Sequence, residues 1–75
     1  MATPRPVHVV PHDDGWATRR EGNTRVTATY DTQRAAAEAG RETAKRDATE
    51  FLIHNREGEI RERSSYGNDP FPPKG

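Results

Sequence analysis

The segment YDTQRAAAEAGRETAKRD, residues 30–47, decides the fold because the periodicity of the chain changes within it. Before Asp31, apolar and polar residues alternate as they do in β-strands. After it, small and charged residues recur at the 3.6-residue period of an α-helix. Asp31 or Thr32 is placed to accept hydrogen bonds from the free N–H groups of a first helical turn. The sequence therefore predicts a helix over residues 33–47.

The predicted helix has one charged side and one side of small residues. The charged side, which we expect to face water, carries Arg34, Glu38, Arg41, Glu42 and Lys45. The opposite side carries Ala36, Ala39, Gly40, Thr43 and Ala44. A glycine inside a helix lowers its stability, and close packing is the compensation we expect at this position. The small side therefore predicts a helix that lies close against a sheet.

Three strands are predicted before the helix. Residues 7–11 are β-prone, and Pro11 marks either an edge strand or a strand end. Residues 15–21 alternate after the turn HDDG, and residues 25–30 alternate after EGNT, which is typical of a tight hairpin turn. We expect this unit to be antiparallel.

A second hairpin is predicted after the helix, with strands at residues 51–54 and 59–63 and Gly58 in the turn. The predicted fold class is α+β: a small, mainly antiparallel sheet in βββαββ order with one helix packed on one face. The last hairpin can pair beside the first strand or on the opposite edge. The expected core consists of Trp16, Val26, Ala28, Ala36, Gly40, Leu52 and Ile60.

The organisation expected from the sequence is one domain with two extended ends. Residues 1–6 form a flexible N-terminal arm, residues 7–64 a single α+β domain, and residues 65–75 an extended proline-rich tail. Only nine of the 75 residues are Val, Ile, Leu or Phe, so the core is thin. Such a thin core, together with exposed sheet edges, favours a homodimer.

Composition excludes several functional classes. Twelve Lys and Arg balance twelve Asp and Glu, so no overall field attracts polyanions. The chain contains no Cys, which excludes disulfides and thiolate ligands and fits a reducing cytoplasm. No stretch of about 18 apolar residues is present to span a membrane, and the first ten residues lack the apolar run of a signal peptide. We therefore expect a cytoplasmic protein that does not bind membranes.

Two runs of the sequence carry a resemblance to a known family. They are HVVPHDDGWATRREGNTRVTATYDTQRAAAEAGRETAKRD and IHNREGEIRERSSYGNDPFPPKG. The most specific part is the tail SYGNDPFPPKG, which ends the second run. From residue 8 to residue 75 the chain resembles the family of short bacterial proteins catalogued as domain of unknown function 2188. The family pattern has a Val-like residue where Thr18 stands and a Glu where Ala35 stands. The resemblance implies a bacterial or phage origin and a compact α+β domain, and it implies no activity.

Candidate chemistry is sparse. His8 and His12 with Asp13 and Asp14 could hold a metal ion if His54 came close, since imidazole and carboxylate are metal ligands. Two His four residues apart on a strand need not converge, however, and the two Asp are typical turn formers. We therefore predict no metal site and no cofactor.

Catalysis has no support in the sequence either. Ser64 and Ser65 follow a strand without a glycine elbow or an identifiable base. We predict no catalytic residue, and a protein that is not an enzyme.

Two binding functions remain open. The first is a small non-enzymatic interaction module that self-associates or binds another protein, using sheet edges and the tail. The second is nucleic-acid binding through the exposed face of the first three strands, where Arg19, Arg25 and Thr27 would lie with Arg20 at the tip. A three-stranded sheet backed by a helix resembles in outline the arm-binding domains of some phage integrases. Neutral total charge favours the first.

The tail is predicted to dock on an aromatic surface. Its segment DPFPPKG is preorganised, because three prolines restrict its backbone. Phe71 and Pro72 are expected to stack near Trp16 or Tyr30, with Tyr66 preceding them, either in the same chain or in a second subunit.

Deletion of residues 69–75 tests the docked tail. The loss of one buried aromatic side chain should lower the free energy of unfolding by about 1–3 kcal/mol, or shift a dimer toward monomer. Thermal unfolding and sedimentation measure the two effects. Identical stability and mass in the truncated and full-length chains would contradict docking within this protein.

Overall fold

The computed structural model describes residues 5–66, and within them the elements follow the predicted order. The calls on the tail residues Phe71 and Pro72 lie outside the described residues. The elements are β1 (Val7–His12), β2 (Gly15–Arg20), β3 (Ala28–Tyr30), α1 (Gln33–Asp47), β4 (Glu50–His54) and β5 (Ile60–Ser65).

The five strands form one sheet in the order β3-β2-β1-β4-β5. The β1–β4 pair is parallel, and the other three pairs are antiparallel. Of the two positions that remained open for the last hairpin, the structure has the one beside the first strand. The helix is the crossover that makes this parallel pairing possible. The α+β class with a mainly antiparallel sheet and one helix is confirmed.

The helix begins and ends where the sequence predicts. Thr32 is the N-cap, and its Oγ1 accepts a hydrogen bond of 3.1 Å from the backbone N–H of Ala35. The chain leaves the helix at Ala48, whose φ of 55° is left-handed and whose N–H reaches back to the last turn. Lys45 and Arg46 lie in that turn, where positive charge complements the helix dipole.

The core lies between the helix and the three inner strands. Its buried cluster is Val7, Val9, Trp16, Ala36, Ala37, Ala44, Phe51 and Ile53. Gly40 is also buried, so Trp16, Ala36 and Gly40 confirm the predicted core. Leu52 is buried as predicted, but it alternates with Phe51 and Ile53 and therefore lies on the opposite face of the sheet.

The predicted third strand, residues 25–30, is too long. Only its last three residues pair with β2, and Val26 and Ala28 are half-buried instead of being core residues. The chain turns immediately after β2, where Asn23 N–H donates to the Arg20 carbonyl at 3.1 Å and Gly22 has a φ of 88°. It meets β2 again only at Thr18, so a longer connection replaces the predicted tight hairpin.

The prediction that Ile60 belongs to the core is wrong. Ile60 is 51% exposed. A register shift between Ile53 and His54 pairs Ile60 with His54, and this places Ile60 on the face that the helix does not cover. The first strand is not an edge either, since β1 pairs with both β2 and β4. Pro11 is compatible with that place because pairing with β4 extends only to Val9.

Replacement of Gly40 by alanine tests the close contact between helix and sheet. A Cβ at this position would lie 2.8 Å from Phe51 Cε1 and 3.3 Å from Thr18 Cγ2. The gain in helix propensity is about 1 kcal/mol, whereas overpacking a core costs about 1–3 kcal/mol. We expect Gly40→Ala to lower stability in denaturant unfolding. Glu42 is exposed, so the difference in the free energy of unfolding between Glu42→Ala and Glu42→Gly measures helix propensity alone. A Gly40→Ala variant stabilised by that difference would refute the close contact.

Candidate functional site: the open face of the sheet

Within residues 5–66 no helix lies on one face of the sheet, and we call it the open face. Strand register places His8 opposite Arg19 and Leu52, Val10 opposite Ala17, and His54 opposite Ile60 on this side. Ala17 and Leu52 are buried, and Val10 is half-buried. The open face therefore has a small apolar centre with polar side chains around it.

Two histidines meet on the open face. His8 Nδ1 lies 2.8 Å from His54 Nε2, and the ring centres are 5.0 Å apart with 29° between the ring planes. On its other side, His8 Nε2 lies 3.0 Å from Glu21 Oε1, while His54 Nδ1 lies 3.1 Å from the Gly58 carbonyl oxygen. The two rings, one on β1 and one on β4, thus form the middle of a chain of polar contacts that runs from the residue after β2 to the β4–β5 turn.

Only two of the three histidines considered for a metal site come together. His12 lies at the far end of β1, with its Nε2 3.6 Å from Asp13 Oδ2. Glu21 contacts the ring nitrogen of His8 that points away from His54, so the three side chains do not converge on one point. Within residues 5–66 no group of three His, Asp or Glu side chains has the arrangement of a metal site. Asp13 and Asp14 lie in the β1–β2 turn, where Asp13 has a φ of 51°.

The arginines considered for nucleic-acid binding do not share one surface. Arg19 lies on the open face, and its guanidinium donates to the Asn23 carbonyl at 2.9 Å. Arg20 points to the opposite side, where it forms an ion pair with Asp47 and donates to the Arg5 carbonyl at 2.9 Å. Arg25 and Thr27 are exposed in the connection between β2 and β3.

Asp47 closes the end of the helix against β2. Hydrogen bonds from Arg20 and Arg46 hold the pKa of the Asp47 carboxyl below its ordinary value. Because the folded chain favours the ionised carboxylate, the pair stabilises the native state at neutral pH, and this contribution disappears as the pH falls below about 4. The arrangement is that of a structural ion pair.

The aromatic residues considered for tail docking have partners within residues 5–66. Trp16 is buried, and the Arg56 guanidinium carbon lies 5.0 Å from its ring centre. Tyr30 and Tyr66 are half-buried against the core, and Lys45 Nζ lies 5.8 Å from the Tyr66 ring centre. Arg56 therefore lies over the Trp16 ring, and stacking of Phe71 near Trp16 or Tyr30 stays a prediction.

Sequence reasoning missed the His8–His54–Glu21 contact. His8 and His54 are 46 positions apart, and their contact requires β1 and β4 to be parallel neighbours. One signal was present: both histidines alternate with core residues of apolar strands, which indicates the uncovered face. Ser64 and Ser65, considered and rejected as nucleophiles, are strand residues that pair with Phe51 and Glu50.

Arg20 and Arg19 offer a matched pair of variants. Arg20→Ala should lower the free energy of unfolding, because it leaves Asp47 with a weaker set of partners, and Arg19→Ala should change it little. The advantage of wild type over Asp47→Asn should be constant near neutral pH and shrink as the pH falls below about 4. Urea unfolding measured over this range checks both, and an unchanged difference between wild type and Asp47→Asn would contradict the role of the carboxylate.

No helix within residues 5–66 is long and apolar enough to cross a membrane. The chain is 34% identical over 61 residues to the uncharacterized protein YdaT of Bacillus subtilis (strain 168). That match covers 81% of this chain, which spans about two fifths, 41%, of the relative's length. No solved structure matches the chain.

A family match covers most of the folded domain. It extends over residues 7–66, from the first residue of β1 to the tyrosine that follows β5. Of the proline-rich tail, expected to be the most specific part of the resemblance, only residues 65 and 66 lie within the match. The chain belongs to the family described as an uncharacterized protein conserved in bacteria (DUF2188).

Proposed function

We infer that the protein is a small non-enzymatic interaction module of the cytoplasm that self-associates through the open face of its sheet. The observation that carries this proposal is a five-stranded sheet covered on one face by a single helix. The helix is the second layer on the core face, whereas the apolar centre of the open face, formed by Ala17, Leu52 and Val10, has no such layer within residues 5–66. Here the second copy of the chain supplies that layer.

The open face has the chemistry of a weak self-complementary interface. Ile60 and Val10 offer accessible apolar surface, with Leu52 and Ala17 beneath. Charges of both signs lie around them, since Glu50 shares the open face with Arg63. A two-fold axis can bring Glu50 of one copy close to Arg63 of the other, which favours pairing of identical surfaces.

In the described part of the chain β5 is an edge strand, and this edge is a poor surface for self-pairing. A two-fold axis perpendicular to the sheet at Glu62 would place Arg61 of one copy opposite Arg63 of the other. An axis at Arg61 or Arg63 would place that arginine opposite its own copy. Like charges directly opposite each other destabilise a strand pair, and charged edges commonly protect sheets from aggregation. The opposite edge, β3, has only three residues. Association therefore uses a face and not an edge.

The size of the open face sets the expected strength. Four strands about 18 Å long and the three-residue β3, all about 4.8 Å apart, give about 400 Å² per copy. The two copies together bury about 800 Å², below the roughly 1,200 Å² at which stable specific interfaces begin. The dimer should therefore be in rapid exchange with monomer at micromolar concentration.

Nucleic-acid binding is the alternative function, and a gel shift tests it. Arg20 and Arg19 point to opposite sides of the sheet, which gives this alternative less support than the interaction module. Residual affinity would reside in Arg19, Arg25 and Thr27. A gel shift that weakens steeply with salt and is lost in the double variant Arg19→Ala, Arg25→Ala would replace the interaction proposal.

Ile60→Asp tests the open-face dimer. A buried carboxylate without a partner should weaken association at least about tenfold, equivalent to about 1.4 kcal/mol. Sedimentation velocity of wild type from 10 to several hundred micromolar should show a mass that rises with concentration, and the variant should remain monomeric. Ala35→Asp, on the exposed side of the helix, is the matched control and should behave as wild type.

Two results would contradict this proposal. One is a wild-type mass of a single chain at the highest concentration. The other is loss of the dimer in Ala35→Asp together with an unaffected Ile60→Asp, because it would place the interface on the helical side.

A further inference from the structure

The β5 edge of the sheet is long enough to accept another strand. In the described part of the chain β5 ends the sheet and has six residues, whereas β3 at the opposite edge has three. The helix packs on the other four strands, and residues 60–63 and 65 are exposed. Alternate residues of an edge strand leave their backbone N–H and C=O groups without a partner strand. β5 therefore presents a row of backbone donors and acceptors to another chain.

Most of β5 also has the regular backbone that strand pairing requires. Residues 62–65 pair in unbroken register with residues 50–53 of β4. The register shift is confined to the start of β5, where Ile60 pairs with His54. A bulge increases the local twist and interrupts pairing, so the usable part of the edge is residues 62–65.

This part of the edge is positive once its ion pair is taken into account. Glu62 is paired with Arg41 of the helix, with 3.5 Å between Glu62 Oε2 and Arg41 Nη2. Arg61 donates to the neutral Gln33 side-chain oxygen at 2.7 Å. Arg63 has no hydrogen-bond or ion-pair partner among the described residues. Two arginines at the edge are thus without a carboxylate.

The same arginines determine which chain can pair here. A second copy would place like charges opposite each other, which destabilises a strand pair. The tail of the chain is unsuitable, because three of residues 69–75 are prolines and a proline has no N–H for a strand ladder. A carboxylate opposite an arginine stabilises the pair instead. The edge therefore rejects its own copy and favours an acidic segment, as specific surfaces do when they combine repulsion with attraction.

We propose that residues 62–65 of β5 bind an extended acidic segment of another protein as a further strand of the sheet. Backbone hydrogen bonds supply the affinity, and alternate side chains supply the specificity. On the open face an Asp or Glu of the partner lies opposite Arg63. On the helical side the partner residue opposite Glu62 is uncharged, because Arg41 already pairs with Glu62. This interaction uses the edge and leaves the open face free, so it is independent of self-association.

A capped peptide in which Glu alternates with Thr tests strand addition at low micromolar concentration. In ¹⁵N spectra of the full-length chain it should shift the backbone amides of β5 and slow their exchange with solvent, and leave those of β3 unchanged. The same peptide with Lys in place of Glu should bind at least about fivefold more weakly, because like charges then lie opposite each other.

Two methylated forms of the Glu peptide separate strand pairing from charge attraction. One is methylated on the backbone nitrogens of the odd residues and the other on those of the even residues. The N–H groups of alternate residues point to the same edge of a strand, so only the form with methyl groups toward β5 should lose binding. Equal binding of both forms would overturn the proposal, and so would a peptide that shifts the open face or β3 instead of β5.

Arg63→Glu should weaken binding of the Glu peptide about fivefold and strengthen binding of the Lys peptide, because the charge pair is reversed. Arg25→Glu makes the same change of charge at an exposed residue between β2 and β3, and it should bind as wild type. An equal loss of affinity in the two variants would overturn the proposal. Sedimentation without peptide reports self-association separately. A mass that rises with concentration in a chain that ignores the Glu peptide would remove the edge proposal alone, and peptide binding by a chain that stays monomeric would remove self-association alone.

Discussion

The fold depends on the close approach of the helix to the sheet at Gly40. The position without a side chain lies over Phe51, Thr18 and Val9, close enough that a single added carbon would collide with the Phe51 ring. This approach compensates for the small number of large apolar residues, because alanines at 36, 37 and 44 can then exclude water from the sheet. Because only nine of the 75 residues are Val, Ile, Leu or Phe, the core depends more on the close packing of helix and sheet than on large apolar side chains.

The parallel pairing of β1 and β4 is the second constraint, and the helix imposes it. A helix that starts beyond β3 and returns along the sheet delivers the chain next to β1, so the two hairpins share one sheet. This pairing buries Val7, Val9, Phe51 and Ile53 on the helical side. On the other side it brings His8 next to His54. One strand pairing thus connects the core to the polar cluster of the open face.

Charge on this protein is arranged locally and not globally. Equal numbers of acidic and basic residues give no net field, yet Arg20 with Asp47 and Arg41 with Glu62 attach the helix to strands at both of its sides. Partly exposed ion pairs of this kind contribute modest energy each. Their value is in position, since they fix where the helix ends and keep arginine side chains on the helical side. The open face retains a mixed set of charges around a small apolar centre.

The helix bounds and the number and order of elements follow from the sequence, because capping and a change of hydrophobic period are local properties of residues 30–47. The strand order, the exposure of Ile60 and the meeting of His8 with His54 depended on the tertiary structure. Each of these is set by which strand lies beside which and by a register shift in β5, and pairing between residues tens of positions apart leaves no signal in the local pattern of either strand.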